Sequence, residues 1–203
     1  MFYRFAWVVC RFFLLTVRRM EILGTENIPL QGGLVLVSNH RSYWDPVVIG
    51  CALPKTRQVF FMAKHELFQV PLLGPVITKL GAFPVKRGGA DRSAIRTALD
   101  HLANGRLVGI FPEGTRSKNE DMLEPHMGAA MLSTRTGSPV LPVAVIGTKG
   151  FWGKVKIVFG TPMIPDLPET GKSKAGRNEL TVISLAIMDR VADLMVSKSG
   201  DNV

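Results

Sequence analysis

The apolar residues of this chain fall into short unbroken runs separated by segments of helical period, and that alternation sets the expected fold. Runs at 34–37, 59–63, 82–86, 107–111, 140–146 and 155–159 are short, rich in Val, Ile, Leu and Phe, and bounded by turn residues, so each predicts a buried strand. Pro142 is expected to break the fifth, because proline cannot donate to a ladder. Between these runs, 91–103 carries Ala94, Ile95, Ala98, Leu99 and Leu102 at helical spacing and is closed by Asn104-Gly105. Segments 128–136 and 178–196 predict two further helices, and Asp45-Pro46 before Val47-Val48-Ile49 predicts another, with Asp45 as its N-cap and proline at the first helical position. Segment 64–71 is mixed and turns at Pro71 and Gly74. The polar stretch 24–33, with Pro29 and Gly32-Gly33, is the best boundary. Continuous apolar strands alternating with helices predict a single α/β domain over 22–197, its mixed, mostly parallel sheet flanked by helices.

Residues 1–21 read differently. Arg4, Arg11 and Arg18 are spaced by seven within a segment otherwise dominated by Phe, Trp, Val and Leu, which predicts a helix with one arginine stripe on an apolar cylinder. The segment is shorter than the ~20 apolar residues a bilayer span needs, so it is expected to lie in the membrane interface. Two other readings compete. A signal peptide would need a small-residue cleavage site where Arg18 and Arg19 stand. An amphipathic helix packed on its own domain has the same periodicity as one packed on lipid.

Charge changes the picture only through its location. The net charge of +9 suits nucleic acid, anionic lipid or a polyanionic substrate. No basic patch interleaved with exposed aromatics is expected outside the N-terminal helix, so anionic lipid is expected and nucleic acid is not. The chain is then peripheral or monotopic on the cytoplasmic face of the cell membrane. Two cysteines, Cys10 and Cys51, and four histidines lack metal-ligand spacing, so no metal is expected and neither thiol reads as a nucleophile.

Two segments carry chemistry. In the first, His40 at a predicted strand end is followed five residues later by Asp45, close enough for one turn to bring the carboxylate onto the imidazole Nδ1 and leave Nε2 to take a proton. Capping the next helix would equally explain Asp45. In the second, Phe111-Pro-Glu-Gly-Thr-Arg-Ser117, Gly114 allows close backbone approach to an anion, Thr115 offers a hydroxyl and Arg116 a bidentate guanidinium. Glu113 would repel phosphate and is expected to orient Arg116 or the turn. An ordinary turn with a surface charge is the plain alternative. Lys64 and Arg87 also follow predicted strands and are further candidate contacts.

Asn39-His40-x-x-x-x-Asp45, Gly81-x-x-x-x-x-Arg87, Phe111 to Ser117 and Val140-Leu-Pro-Val143 occur in that order, and together they resemble the four blocks of the glycerolipid acyltransferases. The fit over about residues 22–162 is to the small bacterial 1-acylglycerol-3-phosphate acyltransferases. The resemblance implies that His40 and Asp45 are the catalytic dyad. It implies that Arg87 and Glu113, Gly114, Thr115 and Arg116 bind the acceptor's phosphate, and that the Val140 block lines the acyl-donor side. Lys64 or amides near His40 would serve the oxyanion. It further implies acyl transfer from acyl-CoA or acyl carrier protein, with no cofactor beyond that co-substrate, to lysophosphatidic acid, giving phosphatidic acid. Another acceptor, such as glycerol 3-phosphate or a different lysolipid, would need the same dyad; a non-enzymatic membrane-surface or nucleic-acid module would need none. One departure stands out: relatives often carry a basic residue just before the glycine matching Gly128, where this chain has His126-Met127.

Overall fold

The computed structural model describes residues 1–86, 89, 91–117, 122–165 and 175–197. Its centre is a seven-stranded sheet. The strands are β1 (Glu21–Leu23), β2 (Leu34–Ser38), β3 (Val59–Lys64), β4 (Phe83–Val85), β5 (Leu107–Ile110), β6 (Val140–Ile146) and β7 (Lys156–Phe159), in the order β1-β7-β6-β2-β5-β3-β4. β6, β2, β5, β3 and β4 run parallel to one another, while β7 returns antiparallel to β6 and carries β1 parallel at the edge.

Helices cover both faces, which is why the strands are apolar throughout instead of alternating. Leu34 and Leu36 of β2 enter a core shared with α1 (Phe2–Thr16) and α2 (Asp45–Ala52), through Leu14, Val48 and Ile49. Val35 and Val37 point the other way, into a core shared with α4 (Arg92–Ala103), α5 (Gly128–Thr136) and α6 (Arg177–Ser197), through Ala98, Leu102, Ala130 and Ile187. Asp91 caps α4 by accepting from the Ser93 and Ala94 amides. The remaining helix, α3 (Leu73–Lys79), follows a 3₁₀ turn at His65–Gln69 in the segment whose sequence shows only turn signals.

Three segments bear on the expectations, and two of them, Pro142 and the arginine stripe, each correct one. Pro142 does not break β6: its carbonyl accepts from the Gly160 amide, one residue past the end of β7, so the missing donor falls where that ladder stops. The stretch after residue 23, read from the sequence as the best boundary, is tied to the end of β7. Gly24 adopts φ 73° and approaches the Phe159 carbonyl so closely that a Cβ would lie 2.1 Å from its oxygen, and Asn27 donates to the same oxygen. The third concerns the arginine stripe. α1 ends at Thr16, so Arg18 leaves the helix and is fully buried, while Arg11 turns inward to donate to the Cys51 carbonyl over the Trp7 ring. Backbone carbonyls receive both guanidiniums: that of Cys51 for Arg11, and those of Gly147, Gly150 and Gly153 for Arg18. Besides Arg4 and Thr16, α1 shows Phe2, Phe5, Val8, Val9, Phe12 and Leu15 to solvent, with Phe5 and Phe12 each 69% exposed. No described helix is long and apolar enough to cross a membrane.

Candidate active site

Five parallel strands deliver their carboxyl ends to one edge of the sheet, where open α/β folds place their chemistry. β2 ends at Ser38, and the buried Asn39 then departs from the strand direction while its side chain continues the pairing. Its Nδ2 donates to the Val145 carbonyl at 2.9 Å and its Oδ1 accepts from the Val145 amide at 2.8 Å. That amide substitutes for a strand residue and frees the backbone to present His40.

The imidazole of His40 is held from two sides. Its ring stacks on Phe111 at 4.1 Å, and Phe111 stacks on Phe61. Its Nδ1 lies 2.9 Å from Asp45 Oδ2. A carboxylate only accepts, so Nδ1–H donates and Nε2 carries the lone pair. Asp45 is fully buried, and its charge is compensated by hydrogen bonds alone: Oδ2 also accepts from the Arg41 and Ser42 amides at 2.7 Å each, and Oδ1 accepts from the Thr148 hydroxyl at 2.6 Å. The capping expectation is therefore corrected. Trp44 occupies the N-cap position, Asp45 is the first residue of α2, and its carboxylate turns back to the loop instead of capping the helix.

The second motif braces the first. Buried Glu113 accepts from the His40 amide at 2.8 Å through Oε1 and from the Leu123 amide at 3.2 Å through Oε2, and the Ser117 amide donates to the His40 carbonyl. Both carboxylate oxygens of Glu113 accept from backbone amides, so what it is seen to orient is the backbone around His40. Gly114 sits at φ 65° with the His126 ring against it, where a Cβ would come within 2.8 Å. On the side where a Cβ would stand, the room that glycine provides is taken by the His126 ring.

Thr115 and Arg116 reach solvent. The Arg116 guanidinium lies 3.5 Å over the Tyr43 ring and donates to a tyrosine hydroxyl, that of Tyr43, at 2.8 Å, on the loop between His40 and Asp45. Lys64 also stands on this edge, in an exposed ion pair with Glu66 at 3.1 Å. Arg87 lies outside the described residues. Val140, Leu141 and Val143 are fully buried in a central strand, so that block is core and lines no donor surface; its service to the site comes at its far end, where β6 runs into Thr148. Burial pushes the Cys51 thiol up to about 12, which suits a packing residue. Asn39 stands in the first motif block, but its bonds to Val145 cannot be read there, and Thr148 carries no motif signal at all.

A family model described as Acyltransferase matches residues 19–146. The chain is 32% identical over 149 residues to the 1-acyl-sn-glycerol-3-phosphate acyltransferase of Bacillus subtilis, covering 71% of this chain and 73% of that one. The chain belongs to the acyltransferase family. This acyltransferase is also 34% identical over 146 residues to the 1-acyl-sn-glycerol-3-phosphate acyltransferase of Streptococcus pneumoniae, a stretch covering 68% of this chain and 53% of that one. The crystal structure of the 1-acyl-sn-glycerophosphate acyltransferase PlsC from Thermotoga maritima shares its fold, with a TM-score of 0.69 at 28% identity, covering 95% of this chain and 78% of that chain.

Proposed function

We propose that this acyltransferase moves a fatty acyl group from a thioester to the free hydroxyl of 1-acylglycerol 3-phosphate. The observation that carries the reading is a tautomer-fixed His40, held by a buried Asp45, on the same sheet edge as the exposed Arg116 guanidinium. Relatives named for this reaction support the choice of acceptor.

Nε2 of His40 takes the hydroxyl proton as the oxygen attacks the thioester carbonyl, forming the C–O bond and a tetrahedral oxyanion. Collapse breaks the C–S bond, and the proton on the imidazolium goes to the departing thiolate. Asp45 stays ionised throughout, holding the ring and favouring its transient positive charge. Arg116, with Thr115 and Arg87, takes the acceptor's phosphate, and Arg116 exchanges part of its contact with Tyr43 for it. Lys64 and nearby amides are the candidate oxyanion donors.

The substrates are lipids, and the outer face of α1 is the docking surface: an apolar stripe with the exposed Arg4 at its margin suits an anionic bilayer on the cytoplasmic side. Acyl-CoA and acyl carrier protein both offer the required thioester.

The test is thiol release from each acyl thioester with a panel of acceptors: lysophosphatidic acid, glycerol 3-phosphate and lysophosphatidylcholine. Turnover with lysophosphatidic acid at least tenfold above the other two supports the reading. Preference for glycerol 3-phosphate would move the chain to another acceptor class, and thiol release independent of any acceptor would make it a thioesterase.

A further inference from the structure

The loop after β6 reaches the dyad from 103 positions away in sequence, through one hydroxyl. Thr148 is only 2% exposed, and its Oγ1 meets Asp45 Oδ1 at 2.6 Å. Oδ2 is shared by the His40 imidazole and two amides, so Oδ1 has Thr148 as its partner on the opposite side. A carboxylate fixed at both oxygens cannot rotate about its terminal torsion, and the direction of the bond to Nδ1 is fixed with it.

The loop itself is held by a residue from the other end of the chain. Arg18, fully buried, donates to the carbonyls of Gly147 at 2.8 Å, Gly150 at 3.3 Å and Gly153 at 2.9 Å. Three carbonyls of one loop converge on this single buried side chain, so the guanidinium ties the loop's path at three points. Further ties act at its ends. The Val155 amide donates to the Arg18 carbonyl, and Gly147, at φ 76°, passes the Lys154 carbonyl with 2.2 Å between that oxygen and where a Cβ would stand. The Arg18 guanidinium also lies 6.0 Å from the ring centre of Trp44, the residue before Asp45.

We propose that Thr148 is a positioning residue for acyl transfer, orienting Asp45 toward His40, and that Arg18 holds the loop that places it. The proposal rests on the dyad reading above. It says that alignment of the base is set by the segment leaving α1 as well as by the His40–Asp45 loop. Neither residue touches substrate, so both act on the rate of the chemical step and not on substrate affinity.

The test compares Thr148→Val, which keeps the shape and removes the hydroxyl, with Thr148→Ser, which keeps the hydroxyl. Both are assayed as full chains with an acyl thioester and lysophosphatidic acid on vesicles. Thr148→Val should lower kcat about tenfold or more with both KM values within threefold of wild type, and Thr148→Ser should restore kcat to within threefold. In 15N-histidine-labelled protein, the His40 Nδ1–H proton signal should shift or broaden in the valine variant and return in the serine variant. Arg18→Met should reproduce the kcat loss of Thr148→Val, and adding Thr148→Val to it should cost less than twofold more, because the loop has already moved. A Thr148→Val enzyme within twofold of wild-type kcat, or a serine variant as slow as the valine one, overturns the proposal while leaving the dyad standing. Absence of acyl transfer in the wild-type chain would instead remove the dyad reading on which it rests.

Discussion

A guanidinium and a carboxylate from one short turn have separate jobs. Arg116 is exposed and, among the described residues, pairs with a tyrosine hydroxyl and ring, which suits it to an anionic ligand. Arg116→Ala is expected to raise the acceptor KM ten- to a hundredfold, the equivalent of ~1.5–3 kcal/mol for a hydrogen bond to a charged group, and to leave the donor KM unchanged. Arg116→Lys should recover part of that loss, because ammonium keeps charge without the two-pronged contact. A rise in donor KM alone would assign the turn to the thioester side. Glu113, three residues before, should behave in the opposite way. Glu113→Gln places an amide NH₂ against either the His40 or the Leu123 amide, so it should lower both kcat and melting temperature with acceptor KM within twofold. A selective acceptor KM effect would contradict its role as a brace. The sequence exposed the two side chains as neighbours in one motif, but charge repulsion could only say that Glu113 avoids phosphate, not that it reaches back to His40.

Among the elements, α1 shows the clearest division between what periodicity records and what it cannot. A seven-residue arginine spacing predicts one face only if the helix runs through all three positions, and it stops at Thr16. With Leu14 in the core and Arg18 clamping the 147–153 loop, deleting residues 1–20 would damage the domain as well as the proposed docking surface. The cleaner experiment is Phe5→Ser with Phe12→Ser on the exposed face. Each loses ~1.5–3 kcal/mol of apolar transfer, so binding to anionic vesicles should fall at least tenfold with melting temperature unchanged. Undiminished binding would place the membrane contact elsewhere. Helix α4 was legible nearly to the residue, because its cap is local. The Ser93 hydroxyl, with the Lys86 and Ala94 amides, holds the Asp91 carboxyl well below the usual carboxylate range. The folded value is depressed, so the cap contributes fully above the unfolded value of ~3.9 and is lost as pH falls through the folded one. The melting-temperature gap between wild type and Asp91→Ala should therefore be constant above about pH 5 and close on further acidification. A gap unchanged at pH 2.5 would show that the carboxylate charge is not what caps the helix.

Across the whole molecule, parallel pairing turns separate sequence blocks into one site. Unbroken apolar runs announced six of the seven strands; β1 escaped because it is three residues long, half-buried and at the sheet edge. His40 and Asp45 were legible because one turn joins them. The Thr148 hydroxyl and the Asn39 ladder bond were not, since each joins residues at least 103 positions apart, which no local pattern encodes. The central claim is that this assembled edge uses His40 as the base for acyl transfer to a lysophospholipid hydroxyl. The most direct measurement is phosphatidic acid formed from an acyl thioester and lysophosphatidic acid by wild type and His40→Ala, with folding confirmed by matching melting curves. The account predicts product from the wild type and a rate at least ~10²-fold lower from the variant, the least expected for losing a general base. A folded His40→Ala enzyme that retains activity within about threefold of wild type would contradict it.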